Sequence, residues 1–179
     1  MDLTQTLRDT IDLHSFSNIW FWFVLAALWS QASYFGLGVP FDLLTRARRQ
    51  GGEAMTDVEM MVGINIRRMG YLMRTSGVWV LGLATFLLTM LLLLAILYRI
   101  EFAQAMALLF TPMTVLGWLT VRTARRIERE GLEGEGLIRR LMRHRIYIQL
   151  TGMVSIFVTA MWGMYTNLSV GSFPLQPVW

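Results

Sequence analysis

The chain contains no cysteine. That one absence excludes disulfides, thiolate metal sites, iron–sulfur ligation by its own side chains and thiol redox catalysis. Lysine is missing too, and all sixteen basic residues are arginine. Charge of either sign is scarce: Asp, Glu, Lys and Arg make up 16% of the 179 residues, where a soluble domain carries about 25%. Histidine is confined to His14 and His144. No Ser/His/Asp set, Walker loop or His-Glu-x-x-His helix appears in the sequence. The expectation is therefore no catalytic residue, no metal ligand and no bound cofactor.

What the chain has in quantity is apolar side chains, 55% of its residues. They come in long blocks, not at amphipathic spacing, and long blocks are the membrane signature. Four blocks stand out: residues 19–39, 77–98, 102–121 and 146–168. The second is free of charge and, as a helix, is about 33 Å long, enough for the roughly 30 Å hydrocarbon core of a bilayer. Trp20, Trp22 and Phe23 form an aromatic belt at the start of the first block. Only Arg99-Ile100-Glu101 separates the second block from the third, which predicts a tight antiparallel hairpin.

Orientation follows from the arginines. Six lie between the first two spans (Arg46, Arg48, Arg49, Arg67, Arg68, Arg74) and eight between the last two (Arg122, Arg125, Arg126, Arg129, Arg139, Arg140, Arg143, Arg145). Arg8 and Arg99 are the remaining two. The positive-inside rule assigns the rich side to the cytoplasm, which leaves both termini periplasmic in a four-span chain. The predicted fold class is all-α: an integral membrane four-helix bundle with a cytoplasmic amphipathic helix and a helical hairpin extension, forming one domain over residues 1–179.

The amphipathic helix is read over residues 53–75, where Met55, Val58, Met61, Val62, Ile66, Met69 and Met73 recur at helical spacing. Thr56 and Glu59 fit a capping box at its start. Its soft face can cap the bundle, lie on the membrane or repack against partners. The hairpin is read over residues 122–145, broken by Gly131, Gly134 and Gly136. Residues 1–17 read as a short surface helix with Leu3, Leu7, Ile11 and Phe16 on one face. With Asp2, Asp9 and Asp12 against a single Arg8, they are not expected to be a signal peptide.

No charged residue falls mid-span; Asp42, Arg99 and Glu101 sit at span ends. That weighs against proton-coupled transport, which uses buried carboxylates or histidine. The predicted topology puts His14 and His144 on opposite faces, so they cannot form a bis-histidine haem site. The polar residues Ser30, Gln31, Ser33, Gln104 and Gln149 read as interhelical hydrogen-bonding groups. In the fourth span Thr151, Ser155, Thr159 and Gly163 recur every four residues. This small-residue stripe serves either the bundle itself or a partner's helix. Arg67, Arg68, Arg122, Arg125, Arg126, Arg139, Arg140, Arg143 and Arg145 are the candidate contacts for anionic lipid or a partner. Nucleic acid is not an expected partner.

Three stretches carry a resemblance: Ser15-Phe16-Ser17-Asn18-Ile19-Trp20; Gly38-Val39-Pro40-Phe41-Asp42 with Arg46-Ala47-Arg48-Arg49; and Thr123-Ala124-Arg125-Arg126-Ile127-Glu128 running to Arg143-His144-Arg145. Together they resemble small inner-membrane proteins of alphaproteobacteria, some of which are labelled a component of the Suf iron–sulfur assembly complex. On a cysteine-free chain the resemblance implies a membrane anchor for that machinery and transfers no functional residue. The overall expectation is a non-catalytic accessory subunit or assembly factor of a larger inner-membrane complex, respiratory or photosynthetic, whose partners are other integral membrane subunits. The alternatives are a homo-oligomeric channel or facilitator, and a membrane anchor for a soluble cytoplasmic partner.

Overall fold

A computed structural model describes residues 19–171, apart from the side chains of residues 33–36, 167 and 169–171. The surface helix predicted over residues 1–17 lies outside the described residues, as does His14. The described chain is all-helical except for one two-residue β-hairpin. In order it runs α1 (Ile19–Tyr34), β1 (Phe35–Gly36), β2 (Val39–Pro40), α2 (Phe41–Gln50), α3 (Gly52–Ile96), α4 (Glu101–Glu130) and α5 (Gly134–Gly171). Helices α3, α4 and α5 are each long and apolar enough to cross a membrane.

The first apolar block does not stay helical to residue 39. Helix α1 ends at Tyr34, and an antiparallel hairpin pairs Phe35 with Pro40 and Gly36 with Val39. Gly36, Gly38 and Pro40 break the helix here, a stop that apolar counting alone overlooks. The turn residues Leu37 and Gly38 have φ of 54° and 75°. Two left-handed residues between paired strands are the geometry of a type I′ turn. Leucine is a costly choice there, and the fold holds it by burying its side chain and giving its carbonyl oxygen a hydrogen bond from Asn65 Nδ2 at 3.2 Å.

Helix α2 has a short apolar face, Leu44 and Ala47, and both are buried. The flanking signals fit a helix: Pro40 precedes it, Asp42 lies in its first turn, Arg48 and Arg49 lie in its last, and Gly51 follows.

Helix α3 is unbroken for 45 residues, about 67 Å. The Met-rich segment and the second apolar block are thus one rod. The predicted capping box is not formed. The helix starts at Gly52, and Thr56 Oγ1 donates back to Gly52 O at 3.4 Å, one turn inside. Glu59 acts elsewhere: its Oε1 accepts the Gly134 N–H at 2.7 Å, capping the start of α5. Helices α3 and α4 meet at a tight turn in which Arg99 adopts φ 51°. Gly131, left-handed, closes α4, and the Leu132 N–H donates to Ile127 O at 3.2 Å in a Schellman-like stop.

The main core lies at the arginine-rich end. Leu37, Leu44, Ala47, Val58, Val62, Ile66, Ala124, Ile127, Leu137, Ile138 and Leu141 are buried together there, with Met55, Met69 and Met142 packed against them. Most of the predicted Met-rich face is thereby used within the chain, while Met61 remains exposed. Towards the other end the cores are small. Phe21 meets Ala105, and Leu25 and Trp29 meet Leu109 with Leu116 beside them. The register rises together on both elements, so α1 runs parallel to α4.

Candidate functional site

The predicted small-residue stripe of α5 lies on one seam of the helix. Ser155, Thr159 and Gly163 are buried and Thr151 is half-buried. The same seam continues through Ile148 and Gly152. At Gly152 the Trp29 indole presses so close that an added Cβ would lie 2.8 Å from Trp29 Cε3. Thr151 Oγ1 donates to Tyr147 O at 2.8 Å. Three buried polar atoms of the seam, Trp29 Nε1, Ser155 Oγ and Thr159 Oγ1, have no hydrogen-bond partner among the described residues.

Of the polar residues read as interhelical groups, Gln104 makes that contact. The Trp162 Nε1–H donates to Gln104 Oε1 at 2.9 Å, and Gln104 Nε2 donates to Ala95 O at 3.2 Å, so one amide ties α3, α4 and α5 together. It borders a cleft of about 600 Å³ with Leu92, Ile96, Arg99, Glu101 and Tyr165. Ser30, Gln31 and Gln149 are exposed.

The candidate arginines separate into groups. Arg122, Arg125 and Arg126 lie along α4 and line, with Arg129, Trp118 and Glu130, a shallow basic groove. Arg122 stacks over the Trp118 ring at 5.0 Å, and Arg126 Nε bonds Glu130 Oε1 at 2.6 Å. On α5, Arg139 and Arg143 are exposed, while Arg140 and Arg145 are half-buried. Arg145 stacks on Phe41 of α2 at 4.0 Å, which makes it a packing group as well as a charge. Arg67 and Arg68 are neighbours in sequence but border different clefts. Arg67 faces one shared with Glu59 and Glu128, Arg68 one shared with Leu37 and Leu116.

His144 is buried between α4 and α5. Its Nε2 and Nδ1 lie 3.4 and 3.2 Å from the hydroxyls of Thr120 and Thr123. A neutral imidazole satisfies both, donating through one nitrogen and accepting through the other. Burial holds its pKa below the ordinary 6.5, and nearby Arg140 pushes the same way. Among the described residues no group of three His, Asp or Glu side chains is placed to hold a metal ion.

Sequence reasoning missed the fixed positions of Glu59, Asn65 and His144. Each acts across a turn or between helices, so no local spacing announces it. Comparison with protein-family models, curated proteins and solved structures gives no match.

Proposed function

We propose that the chain is a non-catalytic accessory subunit or assembly factor of a larger inner-membrane complex, with four crossings, a cytoplasmic basic end and periplasmic termini. The observation that carries this reading is the exposure of the apolar half of α3. Val78 is 86% exposed, Trp79 82% and Phe86 63%, and only 6% of the most apolar window of this helix is buried within the chain. Lipid or other helices must cover such a surface. Sixteen described residues make α1 a short crossing of about 24 Å. Its parallel course beside α4 and the hairpin that prolongs it support counting it as the fourth.

Purification in mild detergent followed by mass spectrometry tests the reading. The expected result is co-migration with other integral membrane subunits; migration solely as a monomer or homodimer overturns it. Orientation is tested separately, since a cysteine-free chain accepts single reporters. A cysteine replacing Tyr98 should react with an impermeant thiol reagent in intact cells, and one replacing Glu133 only after lysis.

Two observations favour other readings. The packed basic end is a firm platform for a soluble cytoplasmic partner, the anchor role that the Suf-labelled resemblance implies. Glutamate at positions 139 and 143 should then release that partner. The unpartnered polar atoms of the α1–α5 seam favour a homo-oligomeric facilitator, in which case Thr159→Val should reduce solute flux into liposomes.

A further inference from the structure

A second cleft, of about 510 Å³, lies where the apolar half of the molecule meets its basic end. Four elements converge on it: α3, α4, α5 and the segment from Ala32 of α1 through the Leu37–Gly38 turn. Its size is in the range of small-molecule sites, about 300–1,000 Å³. The Asn65 hydrogen bond to Leu37 O holds the turn against α3, and both residues line the cleft. Gly38 is part of that fit, because an added Cβ would come within 2.6 Å of Asn65 Nδ2.

The lining of the cleft mixes two chemistries. Leu72, Leu116 and Ile148 supply apolar wall. Arg68, one helical turn before Leu72, is the one cation among the described lining residues, which include no carboxylate. Arg68 also has no ion pair among the described residues. The 600 Å³ cleft differs, because Arg99 there is accompanied by Glu101. The grooves beside α4 likewise mix arginine with Glu128 or Glu130. A lone guanidinium above an apolar wall complements a ligand with one anionic head and an aliphatic tail. A free anion would leave the apolar wall unused, and a neutral hydrocarbon would leave Arg68 unused.

We propose that this cleft binds one anionic glycerophospholipid of the bilayer, with its phosphate on Arg68 and an acyl chain along Leu72 and Leu116. The site rests on the membrane reading given above, in which Thr120 and Val121 of its lining stand at the cytoplasmic end of the third span. The bound lipid fills the wedge between α1 and α3 and joins the thinly packed half of the molecule to the firm one.

The test uses the full chain in nanodiscs of phosphatidylcholine with a minor fraction of phosphatidylglycerol. Native mass spectrometry after transfer to mild detergent reads the retained lipid. The wild-type chain should retain one phosphatidylglycerol in preference to phosphatidylcholine. Arg68→Gln should reduce that adduct about fivefold, the effect of one arginine near an anionic surface. Leu72→Trp, which fills the cleft without changing charge, should remove it. Arg48→Gln, at an exposed position of α2 outside the cleft, should leave it intact. Equal retention of the two lipids by the wild-type chain overturns the proposal, as does an undiminished adduct in either cleft variant. A chain that enters nanodiscs and retains no phosphatidylglycerol overturns the site alone; a chain that does not enter them overturns the membrane reading.

Discussion

The basic end and the apolar half of this molecule are built from the same three long helices, but they bury opposite kinds of residue. At the basic end the interior is mostly Leu, Ile and Val, with arginine and glutamate outside. Along the apolar half the buried positions are mostly small: Ala95, Ala103, Ala105, Ala107, Gly152, Ser155, Thr159 and Gly163. Many large side chains there face outward, among them Trp79, Leu83, Phe86 and Phe157. In water, burying a large apolar side chain is worth about 1.5–3 kcal/mol. In hydrocarbon that gain vanishes, and close backbone approach and interhelical hydrogen bonds hold helices together. Each end follows the rule of the solvent proposed for it, and the change of rule along α3 comes after Ile66, the last large side chain that this helix buries.

The comparison can be broken at several points. The largest effect is expected in the aqueous core. Leu137→Ala, at a residue 2% exposed, should cost about 2–5 kcal/mol in denaturant unfolding of the detergent-solubilised chain. Leu83→Ala, at a residue 60% exposed in the apolar half, should change stability by under about 0.5 kcal/mol. Equal costs at the two sites would erase the distinction drawn here.

Next is the α1–α5 contact. Gly152→Ala drives a methyl into Trp29 and should cost about 1–3 kcal/mol, with a shift in tryptophan emission. Pairing it with Trp29→Leu should recover much of the loss. Glu59→Ala removes the cap on α5 and should cost about 1 kcal/mol in the same unfolding assay, whereas Thr56→Ala should cost less.

The smallest effect near neutral pH is that of His144. Its folded pKa is depressed, so the unfolded chain takes up a proton first as pH falls. Stability is therefore complete above the unfolded value of about 6.5 and declines as pH drops from there through the folded pKa. Thermal unfolding between pH 7.5 and 5 should show this slope, and His144→Asn should flatten it.

Much of the architecture is legible in the residues. Uncharged blocks long enough to cross a bilayer's hydrocarbon core mark α3, α4 and α5, and Gly131 with Gly134 marks the turn between the last two. Reading α1 is harder. Phe35 to Val39 is as apolar as the helix before it, and composition does not separate strand from helix over five residues. Thr56 and Glu59 have the capping-box spacing, but the glycine pair let α3 begin a turn earlier and left Glu59 free to cap another helix.

The candidate site was less accessible to sequence. Arg68 is one arginine among sixteen until the fold sets it beside Leu37 and Leu116 with no carboxylate in the same cleft. The spacing of Thr151, Ser155, Thr159 and Gly163 likewise says nothing of Trp29, which the fold lays against Gly152 of the same helix.

The sequence by itself therefore determined the positions of the apolar stretches within α3, α4 and α5 and the helix ends at which arginine gathers. Both are set by run length and local charge, which need no knowledge of neighbours. Only the tertiary structure decided which faces of those helices are spent on one another, that Glu59, Asn65 and His144 join distant segments, and that one arginine stands alone over an apolar wall. Those outcomes depend on contacts between residues far apart in the chain, which local periodicity does not encode.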